Sequence, residues 1–139
     1  MKKIVFFAFV LVSSLASCSS DDAVNVSEEK LLKKWYYKSY QANGTLEAYD
    51  HLPCGKDYLE FLADGLYREV YINECNPTAT GTSTGSWVLE GNTVAVAIEG
   101  ENYSGTITKL SSTELQITLM ADYDDDGDEE KVRVNLTSN

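Results

Sequence analysis

Apolar side chains recur at every second position along most of this chain after Trp35. The alternation is clearest over residues 94–98, 115–119 and 132–136. It is typical of a half-buried antiparallel strand, because successive side chains of a strand point to opposite faces of the sheet. Turn-forming pairs such as Asp64-Gly65 and Gly91-Asn92 separate the runs. The sequence therefore predicts an all-β fold.

The alternating runs define eight strands, at about residues 34–41, 57–63, 66–73, 85–91, 92–99, 102–110, 114–122 and 130–137. Short turns join most of them. Eight such strands lose their exposed edges by closing into an up-and-down barrel, whereas a sandwich usually needs longer Greek-key connections. We predict an eight-stranded antiparallel up-and-down barrel. Ser27 and the acids that follow it predict a short N-terminal helix before the first strand.

The first 17 residues have the organisation of a secretion signal. Lys2 and Lys3 precede an apolar stretch over 4–12 that is too short to span a bilayer. Leu15-Ala16-Ser17-Cys18 resembles the bacterial lipobox, in which the cysteine is acylated and becomes the first residue. This resemblance implies a lipoprotein signal peptide at 1–17, a lipidated flexible tether at 18–27 starting with Cys18, and a barrel domain at 28–139. An ordinary signal with a chance cysteine is the alternative.

The residues after Cys18 indicate where such a lipoprotein would go. Ser19, rather than an aspartate, follows the cysteine directly, which fits the outer membrane. Asp21-Asp22 resembles a short export tag of surface-displayed lipoproteins, and a solvated tether is the alternative. We expect an outer-membrane, lipid-anchored protein, and leave open whether it faces the periplasm or the cell surface.

The mature chain is strongly acidic. Lys2 and Lys3 fall in the signal, so 9 Lys and Arg residues remain against 22 acids, a net charge of −13. Phosphate backbones repel such a chain, which argues against a nucleic-acid partner. His51 is the single histidine, and we interpret it as a surface pair with Asp50 rather than a general base. None of these features defines an oligomeric state.

Cys54 and Cys75 belong to an exported chain, where paired cysteines are usually oxidised. They flank the predicted hairpin at Asp64-Gly65. With a two-residue turn, the numbers of two facing residues sum to 129. With a three-residue loop and a bulge, they sum to 128, which sets Glu60 opposite Arg68. Both registers bring the sulfurs within reach, so we predict a Cys54–Cys75 disulfide.

Carboxylates alternate before a glycine between the last two strands, as in the first half of a calcium loop. The pattern then departs from that loop, because Arg133 stands where a bidentate glutamate belongs. The sequence therefore predicts either weak Ca²⁺ binding or a solvated hairpin tip, and no other cofactor. The ligands would be Asp122, Asp124, Asp126 and Asp128, with Glu130 acting through water.

Residues 81–85 match the Gly-x-Ser-x-Gly pattern of a hydrolase nucleophile elbow. That elbow leads from a strand into a helix and needs a later histidine. Here a strand follows, and His51 lies upstream. We interpret the segment as a flexible loop and expect no enzymatic activity.

Several of these pieces together resemble small bacterial lipoproteins with a lipocalin-like domain. The resemblance covers about residues 28–137, with Lys33 where the family usually has glycine before the first tryptophan. It implies an eight-stranded barrel that binds a small apolar molecule. The matching pieces are the leader ending at Cys18, Trp35, residues 54–61 and 63–67, Cys75, Gly85-Ser86-Trp87, and Ile107 with Leu110.

A small barrel is either filled by its own side chains or holds a ligand. An inward Glu69 needs a polar partner and indicates a wet pocket, unless it lies at the rim in water. Two functions follow. One is a non-enzymatic outer-membrane lipoprotein that binds a small hydrophobic ligand; the alternative is a filled barrel that contacts an envelope protein or a glycan. The ligand-pocket residues would be Trp35, Tyr37, Leu59, Phe61, Tyr67, Glu69, Tyr71 and Trp87.

Overall fold

A computed structural model describes residues 24–139. Over this range one short helix precedes nine strands, and a 3-10 turn at Ala63–Gly65 joins two of the strands. The helix is α1 (Glu28–Leu31). The strands are β1 (Lys34–Ala42), β2 (Thr45–Ala48), β3 (Tyr58–Phe61), β4 (Leu66–Cys75), β5 (Thr78–Glu90), β6 (Thr93–Ile98), β7 (Glu101–Leu110), β8 (Glu114–Ala121) and β9 (Glu130–Thr137).

Eight of the strands close into a single antiparallel barrel. Their order is β1-β3-β4-β5-β6-β7-β8-β9, and β9 pairs back onto β1 from Tyr36–Thr137 to Gln41–Arg133. Each strand is hydrogen-bonded to the next along the chain, apart from the inserted β2, so the barrel has up-and-down topology. The predicted eight-stranded barrel is confirmed.

Strand β2 is an addition that the alternation did not predict. It pairs with the second half of β1, whereas the first half of β1 pairs with β3. All four residues of β2 are exposed, so the strand lacks the alternating burial that marks the others. The signal that could have found it is the Asn43-Gly44 turn, in which both residues have positive φ (48° and 80°).

The flexible loop predicted at residues 81–85 is wrong, because β5 begins at Thr78 and includes the whole segment. Gly81 pairs with Tyr71, and Gly85 lies between Tyr67 of β4 and Ile98 of β6. A Cβ atom at Gly85 would lie 2.0 Å from the carbonyl oxygen of Ala97. Gly85 therefore allows the backbones of β5 and β6 to approach closely, and it does not make a mobile loop.

The β3–β4 hairpin adopts the three-residue loop. Glu60 lies opposite Arg68 and forms an ion pair with it, as the register with sum 128 requires. Asp64 and Gly65 supply the positive φ values of the turn, 61° and 71°. At the other end of the hairpin, Cys54 and Cys75 form a disulfide with Cα atoms 5.5 Å apart. The predicted disulfide is confirmed.

Helix α1 is a single turn, shorter than the acidic and basic pattern predicted. Ser27 is extended and its side chain caps nothing, and Lys33 and Lys34 lie beyond the helix. Leu31 is fully buried, and its carbonyl accepts a 3.0 Å hydrogen bond from Nε1 of Trp35. The helix therefore packs Leu31 into the base of the barrel. The side chains that are buried most completely are Trp35, Phe61, Leu31, Ile107, Leu115 and Leu136.

Candidate ligand cavity

The barrel encloses a cavity of about 560 Å³. Six of the eight side chains predicted to face a pocket lie in its wall: Tyr37, Leu59, Phe61, Tyr67, Glu69 and Tyr71. They come from β1, β3 and β4, and residues of β5 to β9 complete the wall. The apolar side chains on those strands are Val94, Val96, Ile98, Ile117, Leu119, Val134 and Leu136.

Trp35 and Trp87 do not line the cavity, which corrects the prediction for both. Each is buried in the half of the barrel that α1 covers. The indole N–H of Trp87 donates to the carbonyl of Leu62 at 2.9 Å, and its ring packs edge-on against Phe61 with centroids 5.0 Å apart. The two tryptophans therefore fill the closed end, and the cavity begins above them.

Three tyrosine hydroxyls converge on the carboxylate of Glu69 inside the barrel. Tyr37 and Tyr67 donate to Oε1 at 3.1 and 2.5 Å, and Tyr71 donates to Oε2 at 2.6 Å. Tyr67 and Tyr71 share the inner face of β4 with Glu69, because residues two apart on a strand point the same way. Tyr37 reaches the same carboxylate from β1. Glu69 is therefore an inward, hydrogen-bonded carboxylate rather than a rim residue in water.

The three hydroxyls stay protonated well into alkaline solution. Burial raises the pKa of Tyr37, Tyr67 and Tyr71 above the usual value of 10.0, and the charge of Glu69 raises all three further. Protonated hydroxyls can donate to a carboxylate, but they do not neutralise it. The three hydroxyls therefore act on Glu69 as neutral hydrogen-bond donors.

Two further carboxylates lie where the cavity opens to solvent, one on the β6–β7 turn and one on the first residue of β7. Glu99 accepts a 2.6 Å hydrogen bond from the hydroxyl of Ser83, and Glu101 accepts one from Tyr103. All of these residues belong to the cavity lining. Tyr103 has a raised pKa, first because of its bond to Glu101 and also through the charges of Glu69 and Glu99. All three glutamates therefore raise the pKa of the same tyrosine at the mouth of the cavity.

A network of hydrogen bonds outside the cavity positions Tyr37, and the sequence analysis did not predict it. Asp57 is buried and accepts hydrogen bonds from the N–H of Ile72 at 2.7 Å and from the hydroxyl of Tyr49 at 2.5 Å. His51 lies 2.7 Å from the carbonyl of Tyr37 through Nε2, and its Nδ1 accepts the N–H of Asp57 at 3.1 Å. The surface pairing predicted for His51 with Asp50 is wrong, because His51 joins β1 to the β2–β3 loop.

The acidic β8–β9 loop brings together three of its five predicted calcium ligands. Carboxylate oxygens of Asp122, Asp124 and Glu130 lie within 4.8 Å of one another, and Asp126 and Asp128 are outside this group. The carboxylate of Asp122 also accepts the N–H groups of Asp126 and Gly127, both at 3.1 Å. Calcium binding stays a prediction, with fewer grouped ligands than the loop pattern predicted.

The predicted signal peptide and Cys18 lie outside the described residues, as does the tether up to residue 23. Within residues 24–139, no helix has the length and apolar character that crossing a membrane requires.

Comparison with known proteins agrees with the barrel. A family model described as a lipocalin-like domain matches residues 31–117. A lipocalin-like protein from Bacteroides uniformis superposes with a TM-score of 0.59 at 15% identity, covering 79% of this chain and 99% of its own. An uncharacterized protein from Bacteroides eggerthii gives 0.58 at 9% identity, with coverage of 78% and 99%. No curated protein matches the sequence. Since the family model spans more than half of the chain, this protein belongs to the family with a lipocalin-like domain.

Proposed function

We propose that the mature protein is a non-enzymatic lipoprotein, anchored in the outer membrane through acylated Cys18, whose barrel binds a small hydrophobic molecule. The observation that carries the proposal is the cavity of about 560 Å³. This volume falls within the range of about 300–1,000 Å³ that small-molecule sites occupy. The filled barrel of the alternative function would leave no such volume.

The chemistry of the cavity wall supports binding rather than catalysis. Among the described residues that line it there is no histidine, cysteine or lysine. The hydroxyl of Ser83 donates to the carboxylate of Glu99, and no histidine of the described lining completes a serine–histidine relay with it. Aromatic and aliphatic side chains make up most of the remaining wall, which suits desolvation of an apolar ligand.

Native mass spectrometry of the protein extracted from its own cell envelope tests the ligand. We expect a population heavier than the acylated chain by the mass of one small molecule, released when the protein is denatured. A protein that is always ligand-free, and that takes up nothing from a lipid and metabolite extract of the same cells, would contradict the proposal.

The anchor is tested separately by detergent-phase partition of whole-cell extracts. The wild type is expected in the detergent phase, because acyl chains bury methylenes at about 0.8 kcal/mol each. The Cys18→Ala variant is expected to leave that phase. A Cys54→Ser/Cys75→Ser variant is the matched control, since it removes two cysteines and keeps Cys18. Equal partition of wild type and Cys18→Ala would refute the anchor.

A further inference from the structure

The cavity carries negative charge and no positive charge. Glu69, Glu99 and Glu101 line it, and no Lys, Arg or His belongs to its described lining. The described ion pairs involve other acids, since Arg68 binds Glu60 and Lys109 binds Glu114. The cavity therefore holds three carboxylates without a counter-cation from residues 24–139.

Glu69 keeps room for another donor. An ionised carboxylate offers about four lone-pair sites, and the three tyrosine hydroxyls occupy three of them. Oε1 takes two bonds and Oε2 takes one, so Oε2 can accept one more. Because the donors on it are neutral, a cationic donor would gain both a hydrogen bond and charge pairing.

The three carboxylates do not form a site for a compact metal ion. Within the described residues, the cluster that brings three acidic side chains within 4.8 Å is Asp122, Asp124 and Glu130, on the β8–β9 loop. Glu69 lies inside the barrel and Glu99 and Glu101 lie at its mouth. Charges spread along a cavity in this way suit an elongated organic cation better than an ion that needs converging oxygens.

Aromatic rings in the same wall add to this preference. Tyr37 and Tyr71 stack with centroids 6.4 Å apart, and Tyr103 stands at the mouth with half of its surface exposed. The faces of tyrosine rings attract ammonium groups, and aliphatic neighbours such as Val94 and Val96 accept a hydrocarbon body. An anionic headgroup would be repelled by the three carboxylates and by the negative faces of the rings.

We propose that the cavity selects small organic cations, molecules with an apolar body and a protonated amine, over neutral and anionic molecules of the same size. This inference rests on the proposed function, since it requires that the cavity take up a small molecule. The inference adds the charge of the ligand's headgroup to the proposed function. Acids crowd the open end on the β8–β9 loop as well, which raises the local concentration of cations.

Isothermal titration calorimetry with octylamine, octan-1-ol and octanoate, at neutral pH and physiological salt, tests the inference. The three probes share their hydrocarbon chain and differ in headgroup charge. We expect octylamine to bind one-to-one and about tenfold or more tighter than octan-1-ol, as for a hydrogen bond to a charged group. Octanoate should bind more weakly than both.

Variants locate the charge that selects the amine. Glu69→Gln is expected to bring octylamine and octan-1-ol within about threefold of each other, a difference too small for a charged hydrogen bond. Retained octan-1-ol binding shows that its barrel is intact. Glu101→Gln, at the exposed mouth, gives a second variant that leaves the core untouched and should weaken octylamine alone. Glu90→Gln, at the opposite end of β6 from Glu99, is the matched control and should keep the wild-type preference.

The outcomes separate the two proposals. If octan-1-ol or octanoate binds the wild type as tightly as octylamine, the cation selectivity is wrong and ligand binding stands. If Glu69→Gln and Glu101→Gln both keep the amine preference, the selectivity does not come from these carboxylates and the inference fails. If none of the probes binds, the cation inference fails, and the native mass spectrum of the extracted protein decides ligand binding on its own.

Discussion

The hydroxyl of Tyr71 lies 2.6 Å from Oε2 of Glu69, two positions earlier on β4. A carboxylate inside a barrel is disfavoured unless donors replace the water it loses. Tyr67 and Tyr37 complete that replacement from the same strand and from β1. The tyrosine hydroxyls thus stabilise the carboxylate of Glu69, while the rings of the same tyrosines form part of the cavity wall.

Removing one donor from Glu69 should lower stability measurably. For Tyr67→Phe we expect the free energy of unfolding to fall by about 1.5–2 kcal/mol, the lower part of the range for hydrogen bonds to charged groups. Urea denaturation followed by circular dichroism measures it.

The matched control is Tyr103→Phe. Tyr103 also donates to a glutamate, Glu101, but both residues are exposed. Its removal should change the free energy of unfolding by less than about 0.5 kcal/mol. Equal losses in the two variants would show that burial does not strengthen the Glu69 cluster.

Stability should decline above the pH at which unfolded tyrosines ionise. The pKa values of Tyr37, Tyr67 and Tyr71 are raised in the folded state, mainly by burial and then by Glu69. Above about pH 10 the unfolded chain therefore binds fewer protons than the folded one, and the free energy of unfolding falls as pH rises. Below that pH the contribution is fully present.

Ultraviolet absorbance of tyrosinate, recorded beside circular dichroism during an alkaline titration, checks this dependence. The buried tyrosines should ionise together with the loss of β structure. Full ionisation of all nine tyrosines near pH 10 with the barrel intact would contradict the burial of the three hydroxyls.

Asp57 should matter more to stability than the exposed acids of the loops. Asp57→Ala leaves the N–H of Ile72 and the hydroxyl of Tyr49 without their acceptor, and each unsatisfied group costs about 1–3 kcal/mol. We expect a loss of about 3 kcal/mol in chemical denaturation. Asp50→Ala, at an exposed neighbouring position, should stay within about 0.5 kcal/mol of wild type. A similar loss in both would indicate a general charge effect instead.

The alternation of side chains predicted which face each residue takes but not its height in the barrel. Trp35 and Trp87 point inward, as their positions indicate, yet they lie in the closed end below the cavity. Height depends on strand tilt and on the stagger between neighbours, which are properties of the closed barrel rather than of one strand. The same reason explains why Tyr37 could be placed inside from the sequence while its bond to Glu69, on another strand, could not.

The segments that were missed lack the sustained alternation of apolar and polar side chains on which the prediction depended. Residues 81–85 of β5 are two glycines flanking three small polar residues, and all of β2 is exposed. The register between β3 and β4 could be predicted from the sequence, because only one of the two candidate registers sets Glu60 opposite Arg68. Local charge pairs and turn residues therefore help to predict strand pairing where the hydrophobic alternation does not.

Filling the cavity from β8 should abolish binding while keeping the fold. Leu119 lines the cavity opposite Gly105, which has no side chain to compete for space. For Leu119→Phe we expect octylamine affinity to fall about tenfold or more by calorimetry, because the ring takes volume from the ligand. Stability should change by less than about 1.5 kcal/mol, since the ring enters open space. The control is Met120→Phe, the next residue along, whose side chain is 55% exposed on the outer face and should leave binding unchanged. Unaltered binding in Leu119→Phe would place the amine outside the barrel.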